Sequence, residues 1–537
     1  MTEITAPPAQ LSPRQIRLVF AGLMAGMLLA ALDQTIVATA LPTIVGELGG
    51  LEHLSWVVTA YLLTFTASSP LYGKISDLYG RRRVFQFAIV VFLLGSTLAG
   101  FSRSMAQLIA FRAVQGFGAG GLMVMALTII GDILSPRQRG RYQGYMGSVF
   151  AFASVAGPLL GGLFVDHLTW RWVFYINLPI GLAALAVTSF ALNLPFARRP
   201  HRIDYEGAAL LVAAVSCLLL VTVWGGSEYA WGSATIVGLA SAGAVLLALF
   251  VLREHYAAEP ILPLRLFRNR VFSLTGGAAF ILGLSMMGGV LFLPLFLQVV
   301  TGASATNSGL LLLPLMAGIV VTSVTTGRLI TRTGRYKRYP VAGSLLMGFG
   351  LFLLARMDVN TTRLEASLFM LVLGVGLGMV MQVLIIALQN AVEHRDLGIA
   401  TSSNTFFRSL GGAFGSALFG AILSARLAYH LPRLLPPGSA IPDPTRLTGS
   451  PAQIRLLPPD VQGAVAEALA RSIVGVFRWA IPFALVSFLL VIAMPEHPLR
   501  DTAHIGAAPD GPAPPAREEA ARTGPTRRRT PGRGRRR

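Results

Sequence analysis

The sequence predicts an all-α integral membrane protein, and its composition and the length of its apolar runs are the evidence. Of the 537 residues, 54% are hydrophobic and 13% are charged, about half the charged share of a soluble protein. A single soluble core stops growing near ~250–300 residues, so it would leave much of this apolar sequence unburied. The apolar residues instead form runs of about 20, long enough for a helix to cross a bilayer.

Apolar runs of spanning length recur along the whole chain. The first is too long for a signal peptide and carries Asp33, so we interpret it as a span. The fourteen predicted spans cover residues 17–42, 54–72, 84–101, 105–131, 143–164, 173–194, 207–226, 234–252, 272–299, 306–330, 339–356, 366–391, 398–425 and 472–494.

Basic residues accumulate in every second short loop. They follow spans 2, 4, 6, 8 and 10, whereas the opposite loops hold few of them. Basic loops stay on the cytoplasmic side of a membrane. We therefore expect a multi-pass protein of the cell (inner) membrane with both termini in the cytoplasm.

The predicted spans and the segments beside them are grouped into five parts, a division that the repeat and the resemblance described below imply. They are a cytoplasmic N-terminus at 1–16, a six-helix half at 17–200, two additional spans at 201–255, a second six-helix half at 256–494 with an outer loop at 426–471, and a disordered basic cytoplasmic tail at 495–537. Although the net charge is +20, a basic cytoplasmic tail favours contact with membrane lipids over nucleic acid. In the outer loop, Val461, Val465, Ala468 and Leu469 have helical spacing and predict a short surface helix.

The most specific motif follows span 2. Residues 73–83 read GKISDLYGRRR and fit the G-x-x-x-D-x-x-G-R-[RK]-[RK] signature in full, so the chain resembles the major facilitator superfamily. A degenerate copy at residues 327–335, with Thr331 at the acidic position, indicates an internal repeat. The resemblance implies the major facilitator fold, here with two extra central helices. It also implies a gating cluster of Gly73, Asp77, Gly80, Arg81 and Arg82, with Asp132 at the end of span 4.

Other segments narrow the resemblance to one subfamily. Residues 32–42 (LDQTIVATALP), 112–116 (RAVQG) and 259–267 (EPILPLRLF) are similar to segments of 14-helix drug:proton antiporters of the multidrug efflux type. Span 5 resembles the antiporter motif, with Ala153 in place of one glycine. In the family this motif accompanies exporters. Its matching residues are Gly144, Gly157, Pro158, Gly161 and Gly162.

Carboxylates are scarce inside the predicted spans, and Asp33 is the one that lies well inside. A charge at membrane depth is costly and is a functional candidate by default. Such a group can change its protonation as its exposure alternates between the two sides. We expect Asp33 to be the main proton- and cation-responsive site, with Arg112 of span 4 as its partner; the alternative is a static pair that holds spans 1 and 4 together. A lone carboxylate weakly favours cationic or neutral cargo.

The substrate cavity of such a fold lies between the halves near the midplane. Aromatic and methionine side chains bind varied apolar shapes, although packing and lipid contact are equally compatible with each candidate. Helix packing is an alternative role for Arg408. The candidates are Gln34, Trp56, Tyr61, Gln115, Met286, Gln382, Asn404 and Arg408.

Other classes of protein lack their motifs in this sequence. It contains no G-x4-G-K-[ST] loop, no H-E-x-x-H and no G-x-S-x-G, which disfavours an ATP-driven pump and a membrane enzyme. One cysteine, Cys217, excludes a cysteine-ligated metal cluster. We expect a monomeric, proton-coupled exporter of lipophilic small molecules that uses the proton motive force and no cofactor or metal. The alternative is an exporter dedicated to one endogenous metabolite, antibiotic or lipid.

Overall fold

A computed structural model of the chain describes residues 12–49, 53–192, 204–226, 228–303, 309–436, 454 and 458–499. The helices of the first half are α1 (Pro13–Leu48), α2 (Leu54–Tyr79), α3 (Arg81–Gly100), α4 (Met105–Ile133), α5 (Pro136–His167), α6 (Trp172–Tyr175) and α7 (Asn177–Ala191). The extra pair is α8 (Tyr205–Trp224) and α9 (Ala234–Tyr256). The second half contains α10 (Arg270–Val290), α11 (Leu293–Val299), α12 (Leu313–Thr333), α13 (Arg338–Leu354), α14 (Arg363–Ala391), α15 (Leu397–Leu434) and α16 (Pro459–Ile492).

The long helices begin where the sequence supplies caps. Ser12 accepts a hydrogen bond from the Gln15 backbone N–H at 3.3 Å, and Pro13 follows it at the first helical position. Thr362 and Glu365 form a capping box at the start of α14. These groups satisfy the backbone N–H groups that the first turn of a helix leaves without partners.

The number of membrane spans agrees with the sequence prediction. In the described part of the chain, twelve helical segments are long and apolar enough to cross a membrane. Two of these segments contain a break, since α6 with α7 and α10 with α11 each form one span. The more polar α2 and the 17-residue apolar α13 complete fourteen, which confirms the all-helical fold.

Glycines show that the two halves repeat one packing scheme. On α4, Gly116 and Gly120 press against α2, and Gly118 presses against α3. On α14, residues 374 and 378 press against α12, and residue 376 presses against α13. Small residues let helices approach closely in a membrane. The repeat therefore pairs α4 with α14, α2 with α12, and α3 with α13.

The halves meet along two seams, α5 against α12 and α2 against α15. We call the end of the bundle that holds Arg81 and Arg137 the basic end, and the opposite end the far end. At the basic end, a Cβ on Gly140 would lie 2.6 Å from the Gly327 carbonyl oxygen. The extra helix α8 packs against α2 and α15 at the second seam.

Some boundaries differ from the sequence prediction. The apolar stripe that contains Val461 and Val465 is not a separate surface helix, because α16 runs unbroken from Pro459 to Ile492. Likewise α15 extends to Leu434, nine residues beyond the predicted span end. The helices project past the apolar runs because their first and last turns pack on each other through Leu427, Leu431 and Val465. The predicted basic tail beyond residue 499 lies outside the described residues.

Candidate functional site

Asp33 lies at the centre of a buried polar cluster in the first half. Its side chain is fully buried, and Arg112 is 2% exposed. Arg112 donates from Nη1 to Asp33 Oδ2 at 2.5 Å, and Gln115 donates from Nε2 to Asp33 Oδ1 at 2.7 Å. Asn177 donates to the same Oδ1 at 3.3 Å. Helices α1, α4 and α7 therefore converge on one carboxylate.

A second layer holds Arg112 in place. Its guanidinium carbon lies 4.2 Å from the centre of the Tyr61 ring, and its Nε donates to the Val57 carbonyl at 3.3 Å. Nη1 also donates to Gln115 Oε1 at 2.7 Å. A buried ion pair needs such additional hydrogen bonds to offset the cost of desolvation. Protonation of Asp33 would remove the counter-charge of Arg112 and disturb the whole cluster.

Sequence reasoning did not identify Asn177 and Ser96 as parts of this cluster. Asn177 Nδ2 donates to Ser96 Oγ at 3.0 Å, and Ser96 donates to the Phe174 carbonyl at 2.8 Å. Asn177 is also fully buried, and its Oδ1 has no described partner. An asparagine within the first turns of an apolar span is the signal that could have identified it.

The antiporter-motif residues attach α5 to the helix that carries Asp33. Gly157 and Gly161 rest against Thr35 and Thr39 of α1. Thr35 donates from Oγ1 to the Ala153 carbonyl at 2.9 Å. Pro158 interrupts the backbone hydrogen bonds between these contacts. A movement of α5 would therefore act on α1 within two residues of Asp33.

The remaining motif residues lie elsewhere. Gly144 faces the other half, since a Cβ there would lie 2.7 Å from Val324 Cα of α12. A Cβ on Gly162 would meet nothing within 4 Å. Residues of the motif therefore form one contact inside the first half, between α5 and α1, and one contact between the halves, between α5 and α12.

The predicted gating residues come together at the basic end. Arg81 Nη1 lies 2.5 Å from Asp77 Oδ1, and its Nε lies 2.7 Å from Asp132 Oδ2. Gly80 has a φ of +90°, which favours glycine, and it lets α3 start directly after α2. Arg82 donates instead to the Ser189 carbonyl at 2.6 Å, so it holds α3 against α7.

At the basic end, contacts at both seams join the first half to the second half beside this cluster. A Cβ on Gly73 would collide with Ser402 of α15. His394, in the turn before α15, places Nδ1 3.6 Å from Asp132 Oδ1. At the other seam, Arg137 donates to the Thr331 carbonyl at 2.9 Å. The basic end is therefore closed by contacts between the halves.

A buried arginine and a glutamine also join the halves, although the sequence did not mark them. Arg139 is fully buried and donates to the Leu134 carbonyl at 3.0 Å and to Gln389 Oε1 at 3.4 Å. Gln389 donates in turn to the Leu127 carbonyl at 3.2 Å and to Thr401 Oγ1 at 3.1 Å. In the sequence, Arg139 is one of the basic residues that follow span 4.

The raised pKa of Asp77 predicts that closure of the basic end depends on pH. Burial is the main cause that raises its pKa from 3.8 to about 6, and Asp132 adds to this, whereas Arg81 and Lys74 oppose it. Opening that exposes Asp77 to water returns its pKa towards 3.8. The closed form therefore binds the proton more tightly, and lowering the pH from about 7.5 to about 5.5 should favour closure about four-fold.

Distances between spin labels at Tyr79 and Arg395, both exposed, would measure this shift. The variants are made in a His394→Gln background, because that imidazole also contacts Asp132. Asp77→Asn should remove the pH dependence, and Glu393→Gln on the exposed turn should keep it. A pH response that survives in Asp77→Asn contradicts the assignment.

The cavity candidates from the sequence divide between several places. Tyr61 and Gln115 belong to the Asp33 cluster, and Gln34 is exposed beside it in the chain. Trp56 lies edge-to-face on Trp224 of α8 with ring centres 5.3 Å apart. It therefore contacts the extra helix pair rather than the Asp33 cluster.

The candidates of the second half are separate from that cluster. Met286 packs against the core of its own half. Asn404 donates to the Thr275 carbonyl of α10 at 3.3 Å. Gln382 is 8% exposed and Arg408 is half-buried. No described contact joins these four side chains to Asp33.

A cavity of about 710 Å³ lies at the far end of the second half. Residues from the turn after α13 and from α15 and α16 surround it, and Arg471 pairs there with Glu467. Its charged lining residues are Arg356, Arg426, Arg471, Arg478, Asp358 and Glu467. None of the sequence candidates lines this cavity.

Fold and site together define a class of protein: a polytopic helical transporter with two repeated halves, one of which carries a buried ionisable cluster. The chain belongs to the Major Facilitator Superfamily, whose sequence profile matches residues 23–416. This confirms the resemblance that the residue 73–83 motif indicates.

Relatives give the family assignment more detail. An uncharacterized MFS-type transporter of Mycobacterium tuberculosis is 45% identical, over 93% of this chain and 72% of its own. The multidrug transporter protein MdtP of Bacillus subtilis is 42% identical over 76% of this chain and 75% of its own. Multidrug resistance protein 3 of the same organism is 35% identical over 91% and 97%.

Solved structures share the fold. The human organic anion transporter MFSD10 superposes with a TM-score of 0.60 at 16% identity, covering 89% of this chain and all of its own. The proton:xylose symporter XylE gives 0.59 at 14% identity, with 90% and 96% covered. At these identities the likeness shows the fold alone.

Proposed function

We propose that this transporter is a proton-coupled antiporter that exports lipophilic drugs or other toxic small molecules across the cell membrane. The observation that carries the proposal is the fully buried Asp33–Arg112 pair, an ionisable group deep in the bundle. Relatives named as multidrug transporters, at 42% and 35% identity, support small-molecule export.

The proposed cycle uses the two seams as a gate. If the basic end faces the cytoplasm, as the distribution of arginines predicts, the described arrangement is closed towards the cytoplasm. Asp33 then receives a proton from the outside and releases its pairing with Arg112. The contacts of Gly157 and Gly161 with α1 connect this change to α5, which lies at a seam.

The proton motive force is sufficient for such a cycle. One proton that enters along a 100 mV potential supplies about 2.3 kcal/mol. This free energy corresponds to a cargo gradient of roughly 50-fold. The protein then needs no bound cofactor, only a site that exchanges one proton for one cargo molecule.

Cargo-induced proton movement in proteoliposomes tests the proposal. The full-length protein is reconstituted with a pH-sensitive dye inside and is given a panel of lipophilic cations, neutral drugs and lipophilic acids. Proton movement on addition of cargo supports antiport. If no compound moves protons while the reconstituted protein still transports labelled cargo, proton coupling is wrong.

A further inference from the structure

Arg408 lies deep in α15 and has no partner among the described residues. It follows Leu397, the first residue of α15, by eleven positions, which is about 16 Å along the helix. Its side chain is half-buried and makes no hydrogen bond, ion pair or ring contact with any described residue. A charge at this depth is retained for function by default.

The helix geometry turns Arg408 towards the interior of the bundle. Gly411 and Gly415 press against α10, and Phe406 and Leu410 pack with α8. Residues seven apart lie on one face of a helix, so Arg408 shares the face of residue 401. That face points to α14, because Thr401 Oγ1 accepts from Gln389 there.

A second unsatisfied group lies at the same level on α14. Gln382 precedes Gln389 by seven residues and so shares its face. It is 8% exposed, and its Oε1 is buried without a partner among the described residues. The Gln389–Thr401 contact joins the end of α14 to the start of α15. Gln382 and Arg408 each lie seven residues from this contact along their own helix, away from the basic end. Both therefore lie about 10 Å farther from the basic end.

The internal repeat does not reproduce the Arg112 and Gln115 contacts in the second half, and no described carboxylate pairs with Arg408. Aligning Gly116 with Gly374 places Met370 at the position of Arg112 and Leu373 at that of Gln115. Asp33 is already engaged by Arg112, Gln115 and Asn177. The polar cluster of the first half is thus neutral as a whole, and Arg408 leaves one positive charge unbalanced.

From this juxtaposition we infer that the cargo is an organic anion. Its carboxylate or sulfonate pairs with Arg408, a neighbouring hydroxyl or N–H group donates to Gln382 Oε1, and an apolar body fills the space between the halves. Met287 of α10 lies beside Gly412, one turn from Arg408, and offers the adaptable apolar surface that such a body needs. The inference rests on the proposed function and names its cargo class.

Binding of three matched probes tests this inference. The probes are 11-(dansylamino)undecanoate, its methyl ester, and the analogue with a trimethylammonium group in place of the carboxylate. Dansyl fluorescence measures their affinity for the full-length protein in detergent, so the result does not depend on proton coupling. We expect the acid to bind at least ten-fold more tightly than the ester and the cation.

Variants assign the preference to residues. Arg408→Gln should equalise the affinities for acid and ester, and Arg408→Lys should restore the preference because it restores the charge. Gln382→Leu should weaken the affinity for the acid several-fold. Arg103→Gln, in the exposed turn before α4, is the matched control and should change nothing.

Several outcomes overturn the inference. Equal binding of all three probes, tighter binding of the cation, no binding of any probe, or a preference that survives in Arg408→Gln would each show that Arg408 does not select an anion. In each of these cases, proton movement with another cargo in proteoliposomes would still support the proposed antiport. Failure of the anion inference can therefore be distinguished from failure of the antiport proposal.

Discussion

Replacing Asp33 with Asn should reduce cargo-driven proton movement to the level of protein-free liposomes. Asn is nearly the same size and can still form hydrogen bonds with Gln115, but it does not take up a proton at any pH used for transport. Binding of cargo should persist, because the proposed cargo contacts Arg408 and Gln382 lie outside the cluster. The measurement is dye-reported proton movement beside fluorescence binding on the same preparation.

The same substitution should also destabilise the protein. It leaves Arg112, which is 2% exposed, without its counter-charge, and breaking a buried pair from one side costs about 3–5 kcal/mol. Removing both charges in Asp33→Asn/Arg112→Gln should recover most of that loss. Denaturation in mild detergent would measure the free energy of unfolding for each variant.

The double variant distinguishes a proton site from a static pair. If the pair merely joins α1 and α4, the stable, neutral double variant should transport with normal proton coupling. If Asp33 carries the proton, the double variant is stable and uncoupled. Asp358→Asn, in the exposed turn after α13, is a matched carboxylate control that should behave as wild type.

The fold could be predicted closely because its causes are local. A bilayer requires about 20 apolar residues per helix, and basic loops mark alternate turns, so span number and order follow directly from the sequence. The ends of the helices were less predictable. Helices α15 and α16 continue beyond the apolar runs because Leu431 and Val465 pack in one apolar cluster. That contact joins segments far apart in the chain.

The site was predictable only in part. Asp33 and Arg112 could be paired because charges are so rare in the spans. Asn177 and Gln389 were not found, since their importance comes from hydrogen bonds between helices rather than from any local pattern. Sequence reasoning weakly favoured cationic or neutral cargo because Asp33 is the one carboxylate well inside the predicted spans. The proposed acidic cargo rests instead on the three donors that already engage Asp33 and on Arg408, which has no described partner.

A disulfide across the α5–α12 seam should stop transport completely. A Cβ on Gly147 would lie 3.5 Å from Ser323 Cβ, within the spacing that a disulfide needs. The two residues belong to opposite halves and lie in the middle of their helices, so a bond between them holds α5 and α12 together at the seam. Gly147→Cys/Ser323→Cys is made in a Cys217→Ser background, because Cys217 is the single native cysteine.

Oxidation should reduce uptake into inverted vesicles to background, and reduction should restore it. The matched control is Gly348→Cys/Ala484→Cys, where the Cβ atoms would lie 3.6 Å apart within the second half. A bond inside one half moves with that half, so this pair should transport in both redox states. Alternating access needs the seam to separate on one side in each cycle. Undiminished transport by the fully oxidised Gly147/Ser323 pair would therefore mean that the halves exchange cargo without opening the seam there.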